Sequence, residues 1–343
     1  MTDEEKRKHQ DWEDQTDQAM EGQPAGRCFK SVYPDPRVIE IPCGTPPTKP
    51  LGHPPRYRTF VSPENATGSA PGASSPQPAA SGANGKGKAN VHSPTVGGGG
   101  STDYMAQIVN PTGYIGNYSS AKGSFTQLTH APTTDYSLQL NSNTWPYSTL
   151  CGGVGSADNC FAWQQFAYTS TTGLFMQYWL GGFLLSHSAC PTGWLVSDQD
   201  CYVSSAPVTG FKINANILAS ATLTASIVSG GQLKVVLTDS AERHFLTAPD
   251  LLGLGIPEST SSPGEGWVQA EFNILGNTDS NMAIFPAKTK VGVKVNAVPY
   301  NGATSSRCVL HSNTGEQNNL TLGACTASAT GISFPETSGK QAL

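Results

Sequence analysis

The chain has 343 residues, of which 37 are Gly and 25 are Pro, and only 13% are charged. This length allows one large or two small domains, and the high Gly and Pro content favours one core domain with flexible material. The net charge of -5 arises within residues 1–24, which hold eight acidic and three basic side chains. The charge-balanced remainder has no basic stripe, so neither nucleic acid nor an anionic membrane is an expected partner.

Composition divides the chain into four parts. Residues 1–24 are charged and could form a short helix, but they lack an apolar stripe, which favours a solvated or disordered tail. Residues 25–60 carry two cysteines and many prolines, which predicts a small Cys-stapled extended segment lying on the main domain. Residues 61–102 are rich in Pro, Gly, Ala and Ser and are predicted to be a linker, and residues 103–343 form the remaining domain.

Short β-branched or aromatic runs, bounded by Gly, Asn, Ser or Pro, dominate the chain from residue 103 onward. The candidate strands are Asp135–Asn141, Phe161–Tyr168, Leu174–Leu180, Phe211–Ile217, Leu233–Leu237, Trp267–Ile274 and Val291–Asn296. Roughly 230 residues of such segments without helical periodicity predict an all-β fold, a two-sheet antiparallel β-sandwich with a jelly-roll or lectin-like strand order.

Eight cysteines fall in four couples that are close in sequence: Cys28 and Cys43, Cys151 and Cys160, Cys190 and Cys201, Cys308 and Cys325. These loop-sized spacings favour disulfides formed outside the cytosol over zinc or redox motifs, and local pairing is the simplest of the 105 connectivities that eight cysteines allow. We therefore expect an extracellular protein. The amino terminus shows no apolar signal segment, so we expect either a start upstream or another export route.

Two strand-like segments carry polar residues inside aromatic, apolar runs. In the second, strand alternation predicts one face formed by Trp267, Gln269, Glu271 and Asn273. In the first, alternation places Gln164 and Gln165 on opposite faces, with Trp163 beside Gln165. The neighbouring candidate strand adds Gln177 and Trp179.

A sheet face of this composition suits a groove for a sugar or a peptide, because aromatic rings stack and amides give directional hydrogen bonds. The predicted substrate-binding residues are Trp163, Gln177, Trp179, Trp267, Gln269 and Asn273. The alternative is that these side chains only cover a solvent-facing sheet.

The common catalytic motifs are absent, the histidines are scattered, and Asp198 and Asp200 are interpreted as part of a disulfide-bounded loop rather than a calcium site, so we expect no metal and no cofactor.

At Ala270-Glu271-Phe272, followed by Asn281–Phe285, the sequence resembles the eqolisin glutamic peptidases, in which an Ala-Glu-Trp strand carries the catalytic Glu. The Cys160–Tyr168 segment resembles the region of that family that supplies the catalytic Gln. The resemblance implies a secreted, acid-active endopeptidase on a concanavalin-like β-sandwich. It also implies that Glu and Gln activate a water together and that Gln stabilises the oxyanion.

The Trp163–Gln165 and Leu174–Trp179 stretches are also similar to the neprosin-type peptidase domain, which uses two glutamates, and the overall layout resembles a group of secreted bacterial proteins. The working hypothesis is an acid endopeptidase with Glu271 as general base and either Gln164 or Gln165 positioning water and oxyanion. The alternatives are a non-catalytic carbohydrate-binding sandwich and an extracellular structural protein. We expect a monomer that takes a polypeptide or polysaccharide substrate.

Overall fold

A computed structural model describes residues 2–54, 103–109, 117–151, 160–255, 266–277, 281–300, 305–311 and 316–339. The predicted linker, residues 61–102, lies outside the described residues. The helices are α1 (Asp3–Ala19) and α2 (Ser148–Cys151), with short 3-10 turns at Phe183–Leu185 and Leu218–Ser220.

The described strands are short and follow one another closely along the chain. From the amino terminus to residue 181 they are β1 (Cys28–Val32), β2 (Asp35–Ile41), β3 (Asp103–Val109), β4 (Tyr118–Leu128), β5 (Ser137–Ser142), β6 (Trp145–Pro146), β7 (Phe161–Thr169) and β8 (Gly173–Gly181). From there to residue 275 they are β9 (Leu195–Ser197), β10 (Asp200–Ser204), β11 (Thr222–Val228), β12 (Gln232–Thr238), β13 (Glu242–Pro249) and β14 (Gln269–Leu275). The last are β15 (Met282–Ala283), β16 (Lys290–Pro299), β17 (Ser305–His311), β18 (Gln317–Asn318), β19 (Leu320–Leu322), β20 (Thr326–Ser328) and β21 (Gly331–Ser338).

Within the described part of the chain these strands form two large antiparallel sheets packed face to face, which confirms the predicted all-β sandwich. Sheet A has the order β19-β21-β16-β4-β11-β12-β13-β1-β2, with β20 beside β21. Sheet B has the order β17-β3-β14-β5-β7-β8-β10-β9, with β6 beside β7. Strands β15 and β18 form a small parallel pair.

Alternation along each strand separates a core face from a polar face. In β5, Leu138 and Leu140 belong to the core between the sheets, whereas Gln139 and Asn141 point away from sheet A. We call the side of sheet B that points away from sheet A its outer face. Because the core residues are buried, each large apolar side chain contributes roughly 1.5–3 kcal/mol to folding.

The two sheets are in close contact where β4 faces β14. The ring of Phe272 lies over Gly123, and a Cβ atom built on Gly123 would stand only 2.0 Å from that ring. Phe125 packs on the same ring, with 5.1 Å between the ring centroids. Glycine at position 123 therefore makes room for Phe272.

Four disulfides join the couples predicted from sequence: Cys28–Cys43, Cys151–Cys160, Cys190–Cys201 and Cys308–Cys325. The first one staples the β1–β2 hairpin, and β1 pairs with β13, so this hairpin extends sheet A. In the described residues no helix has the length and apolar character that crossing a membrane requires.

The predicted disordered tail over residues 1–24 is wrong, because helix α1 occupies Asp3–Ala19 and packs on sheet A. Trp12 is buried and donates hydrogen bonds to Ser31 Oγ at 3.2 Å and Asp35 O at 3.1 Å. The Arg243 guanidinium contacts Asp17 at 3.0 Å. These anchors come from distant parts of the chain, so the helix needs no apolar stripe of its own.

The predicted strand Phe211–Ile217 is also wrong, since this segment is a loop followed by a 3-10 turn. Both backbone groups of Ile213 bond to tyrosine side chains: Ile213 N donates to Tyr168 Oη at 2.8 Å, and Tyr136 Oη donates to Ile213 O at 2.7 Å. Asn214 then accepts from the Asn216 N–H at 2.9 Å and starts the turn.

Candidate functional site

A row of three polar side chains crosses the outer face of sheet B. In the strand register Gln165 of β7 stands opposite Asn141 of β5, and Asn141 stands opposite Glu271 of β14. Their sequence neighbours Phe166, Leu140 and Phe272 point the other way, into the core between the sheets. The sheet therefore brings together a glutamate and a glutamine that are more than one hundred residues apart in sequence.

Amide hydrogen bonds join the members of this row. Asn141 Nδ2 donates to Glu271 Oε2 at 3.1 Å and to Gln139 Oε1 at 3.2 Å. Gln165 Nε2 donates to the same Gln139 oxygen at 3.1 Å. Gln139 in turn donates to Ser137 Oγ at 2.9 Å and to Glu316 Oε1 at 3.1 Å. Glu271 and Gln165 are thus linked through two amides and held in fixed positions.

Asp103 and Glu336 bring two further carboxyl groups next to Glu271. Asn273 Nδ2 donates to Asp103 Oδ2 at 2.8 Å and to Glu336 Oε1 at 3.2 Å. Asp103 also lies near Glu271, and its charge acts on the Glu271 carboxyl. All three acidic side chains are fully buried. We call Asp103, Glu271 and Glu336 the carboxyl cluster.

Burial keeps protons on the carboxyl cluster. It raises the pKa of Glu271 well above 4.5, and the neighbouring Asp103 charge adds to the effect. Burial raises the pKa of Asp103 from 3.8 to about 7. It raises the pKa of Glu336 from 4.5 to about 8, again with Asp103 contributing. At acidic pH the cluster therefore holds its protons.

An aromatic group adjoins the row on the same face. The rings of Trp163 and Trp179 have centroids 6.3 Å apart, and Tyr202 lies 5.1 Å from Trp179. The Trp179 indole N–H donates to Gln165 Oε1 at 3.1 Å and to Gln177 Oε1 at 3.2 Å. This contact fixes the side-chain oxygen of Gln165, so the side-chain NH2 group of Gln165 is directed toward the row.

Residues 44–54, which we call the strap, run from the β1–β2 hairpin onto this face. The Leu51 N–H donates to Gln177 Oε1 at 3.0 Å, and Tyr202 Oη donates to Thr48 O at 2.6 Å. His53 lies with its ring 5.7 Å from that of Trp179. The polar face of sheet B is therefore occupied by a stretch of the chain itself.

Most predicted site residues lie on the outer face, together with Glu271. They are Trp163, Gln165, Gln177, Trp179, Gln269 and Asn273. Gln164 lies on the opposite side of β7, between the core residues Ala162 and Phe166. Of the two glutamines proposed as the Glu271 partner, Gln165 is the one that shares its face.

The prediction that Trp267 shares the face of Glu271 is wrong. Trp267 precedes β14, and its ring packs in the core against Phe166 at 5.6 Å and Tyr118 at 5.7 Å. The cause is Asn143, whose Oδ1 accepts from the N–H groups of both Val268 and Gln269, at 2.8 and 3.0 Å. Successive N–H groups of a strand point in opposite directions, so this shared acceptor breaks the alternation.

The sequence analysis missed several polar members of the site. They are Asp103, Gln139, Asn141, Glu316 and Glu336. Gln139 and Asn141 alternate with Leu138 and Leu140. This alternation of polar and apolar residues is as clear as the one around Glu271 and could have identified both residues. The remaining three come from strand ends and from another sheet, where no local pattern marks them.

Asp198 and Asp200, considered for calcium, face His53 of the strap, with carboxylate-to-ring distances of 3.9 and 3.7 Å. Across the described ranges no three His, Cys, Asp or Glu side chains are grouped to hold a metal ion.

Comparison of the chain with known proteins gave no matching family model and no matching curated protein.

Proposed function

We propose that the protein is a glutamic-peptidase-like endopeptidase that works at acidic pH on the outer face of sheet B. The observation that carries the proposal is the row in which Glu271 and Gln165 share one face and are linked through Gln139 and Asn141. The strap adds support, because a stretch of polypeptide already lies on this face and is hydrogen-bonded to it. The four disulfides are compatible with an extracellular protein, and secretion is part of the proposal.

In this proposal Glu271 is the general base that takes a proton from the attacking water. Gln165 donates an amide N–H to the oxyanion of the tetrahedral intermediate, since one hydrogen of that amide already serves Gln139 and a second remains. The strands of Glu271 and Gln165 are separated by one intervening strand, or about 9–10 Å between backbones. The Asn141 side chain of that strand lies between them, so a peptide carbonyl and a water would bind over Asn141, on the side away from the sheet.

The protonation state of Glu271 links catalysis to the opening of the site. While the face is covered, burial raises the pKa of Glu271 and the carboxyl keeps its proton. When the strap leaves and water reaches the carboxyl, its pKa falls toward the ordinary value of about 4.3, so the base form exists at weakly acidic pH.

Cleavage of a reduced, unfolded protein at a pH of about 4 to 5, read by mass spectrometry of the products, tests the proposal. Glu271→Gln should reduce the rate at least 100-fold, the usual weight of a general base. Glu40→Gln, an exposed strand glutamate on sheet A, is the matched control and should cleave as the wild type does. Cleavage by neither the wild type nor a folded Gly52→Ala variant, in which the strap is displaced, would contradict the proposal.

The second candidate function is non-catalytic carbohydrate binding, favoured by the aromatic group of Trp163, Trp179 and Tyr202 beside the amides of Gln165 and Gln177. Flat rings flanked by amides suit stacking and hydrogen bonding to a sugar. Retention of the protein on insoluble glycan at neutral pH, lost in Trp179→Ala, would favour this function. Cleavage without retention would favour the peptidase.

A further inference from the structure

We propose that the outer face of sheet B is a sequence-selective site for polypeptide that presents a large aliphatic residue followed directly by a glycine in the left-handed conformation. This inference names the substrate class of the site and in that sense rests on the proposed function. In the structure the strap supplies the pair as Leu51 and Gly52. An outside polypeptide with the same pair would compete with the strap for the face.

The aliphatic position is a small apolar patch inside an otherwise polar face. The Leu51 side chain is buried against Ala167 and Phe175, which stand opposite each other on β7 and β8. Gln177 binds the backbone of the same residue, because its Oε1 accepts a hydrogen bond from the Leu51 N–H at 3.0 Å. Gln177 is itself held by Ser204, since its Nε2 donates to Ser204 Oγ at 2.9 Å. A large aliphatic side chain and its N–H are thus recognised together.

The next position accepts only glycine, for two independent reasons. A Cβ atom at Gly52 would lie 2.2 Å from the carboxyl carbon and both carboxyl oxygens of Glu316. Glu316 is fully buried and accepts a hydrogen bond from Gln139 at 3.1 Å, so it is not free to swing away. In addition, Gly52 has a φ of +70°, a conformation that side chains of L-residues rarely adopt.

Upstream of this pair, sheet B contacts the backbone of the strap. Tyr202 Oη donates to Thr48 O at 2.6 Å, three residues before Leu51. Such a bond forms with any residue, so selectivity comes from the aliphatic and glycine positions. Because Gln177 pairs with Gln165 across the sheet and Glu316 is bound to Gln139, a bound polypeptide lies directly beside the row that contains Glu271.

Fluorescence anisotropy with a labelled peptide of the sequence Thr-Lys-Pro-Leu-Gly-His, copied from the strap, tests the inference. The protein is the full chain carrying Glu271→Gln, so that no cleavage occurs during the measurement. Adding Gly52→Ala displaces the strap and should increase the affinity for the peptide at least tenfold over the parent. A peptide with Ala in place of Gly should bind the same variant at least tenfold more weakly.

Leu51→Asp displaces the strap from the aliphatic position instead and should give the same increase in affinity. If both variants bind the peptide no better than the parent, or bind the Gly and Ala peptides equally, the inference is wrong. Thermal unfolding gives an independent check: Gly52→Ala should lower Tm in the wild type, and should lower it less in a Glu316→Ala background, where only the strain of the positive φ remains. Peptide binding without any cleavage by the Glu271-containing chain would overturn the peptidase proposal alone.

Discussion

Glu336 gives the carboxyl cluster a pH dependence that can be measured without any knowledge of the substrate. Burial raises the pKa of Glu336 from 4.5 to about 8, with the charge of Asp103 adding to the effect. The unfolded chain releases this proton above about pH 4.5, whereas the folded chain holds it to about pH 8. Folding is therefore favoured at acidic pH, and this contribution is lost progressively as the pH rises through that window.

The magnitude follows from the difference in pKa between the folded and unfolded states. A rise of about 3.5 units at about 1.4 kcal/mol per unit corresponds to about 5 kcal/mol lost between pH 4.5 and 8. This is a large share of the 5–15 kcal/mol that is typical for the free energy of unfolding. Glu336→Gln keeps an acceptor for Asn273 and removes the ionisable proton, so the variant should lose about 5 kcal/mol less over the same range.

Urea unfolding with the disulfides intact, followed by tryptophan fluorescence at pH 5 and pH 8.5, measures this effect. For a slope of about 2 kcal/mol/M, the difference between wild type and Glu336→Gln at pH 8.5 should be roughly 2.5 M in the urea midpoint. The curve of the variant should still fall with pH, because Asp103 continues to titrate. The reasoning would be refuted if both proteins lost the same free energy of unfolding between pH 5 and pH 8.5. It would also be refuted if the wild type were as stable at pH 8.5 as at pH 5.

Two further substitutions test the packing that supports the site. Gly123→Ala forces a methyl group against the Phe272 ring and should lower the free energy of unfolding by about 1–3 kcal/mol or more, measured by urea unfolding at pH 5. Equal stability would mean that the sheets do not meet at this point. Trp12→Ala should release helix α1 and make residues 1–24 sensitive to limited proteolysis, while the exposed control Gln10→Ala leaves them protected. Unchanged protection in Trp12→Ala would show that the charged contacts alone hold the helix.

The sheets could be predicted from sequence where apolar and polar residues alternate without interruption. Gln269 to Ile274 alternate as predicted, and their two faces are confirmed. Trp267 does not follow this alternation, because Asn143 accepts hydrogen bonds from two successive N–H groups at the start of β14. Asn143 lies more than one hundred residues away in sequence, so its effect could not be predicted locally. Helix α1 begins with a local signal, the capping box of Thr2 and Glu5, but the contacts that hold it on sheet A, with Arg243 among them, are long-range. Local patterns carry no information about such contacts.

The candidate site was only partly readable from sequence for a similar reason. Glu271 stood out as an acidic residue inside an apolar strand, and alternation separated Gln164 from Gln165 without saying which one faces Glu271. That choice depends on the strand order β7-β5-β14, which is a property of the whole sheet. Glu336 joins the site from sheet A, so no reading of the local sequence could have placed it there.

The central claim, that Glu271 and Gln165 act together, is tested most directly by a double-mutant cycle on kcat/KM. The cycle compares Glu271→Gln, Gln165→Ala and their combination at a pH of about 4 to 5, in the Gly52→Ala background that displaces the strap. Residues that act as a unit lose activity non-additively. Each single variant should lose about 100-fold or more in kcat/KM, and the double variant should lose no more than the worse single one. Wild-type kcat/KM in Gln165→Ala, or losses that multiply in the double variant, would contradict it.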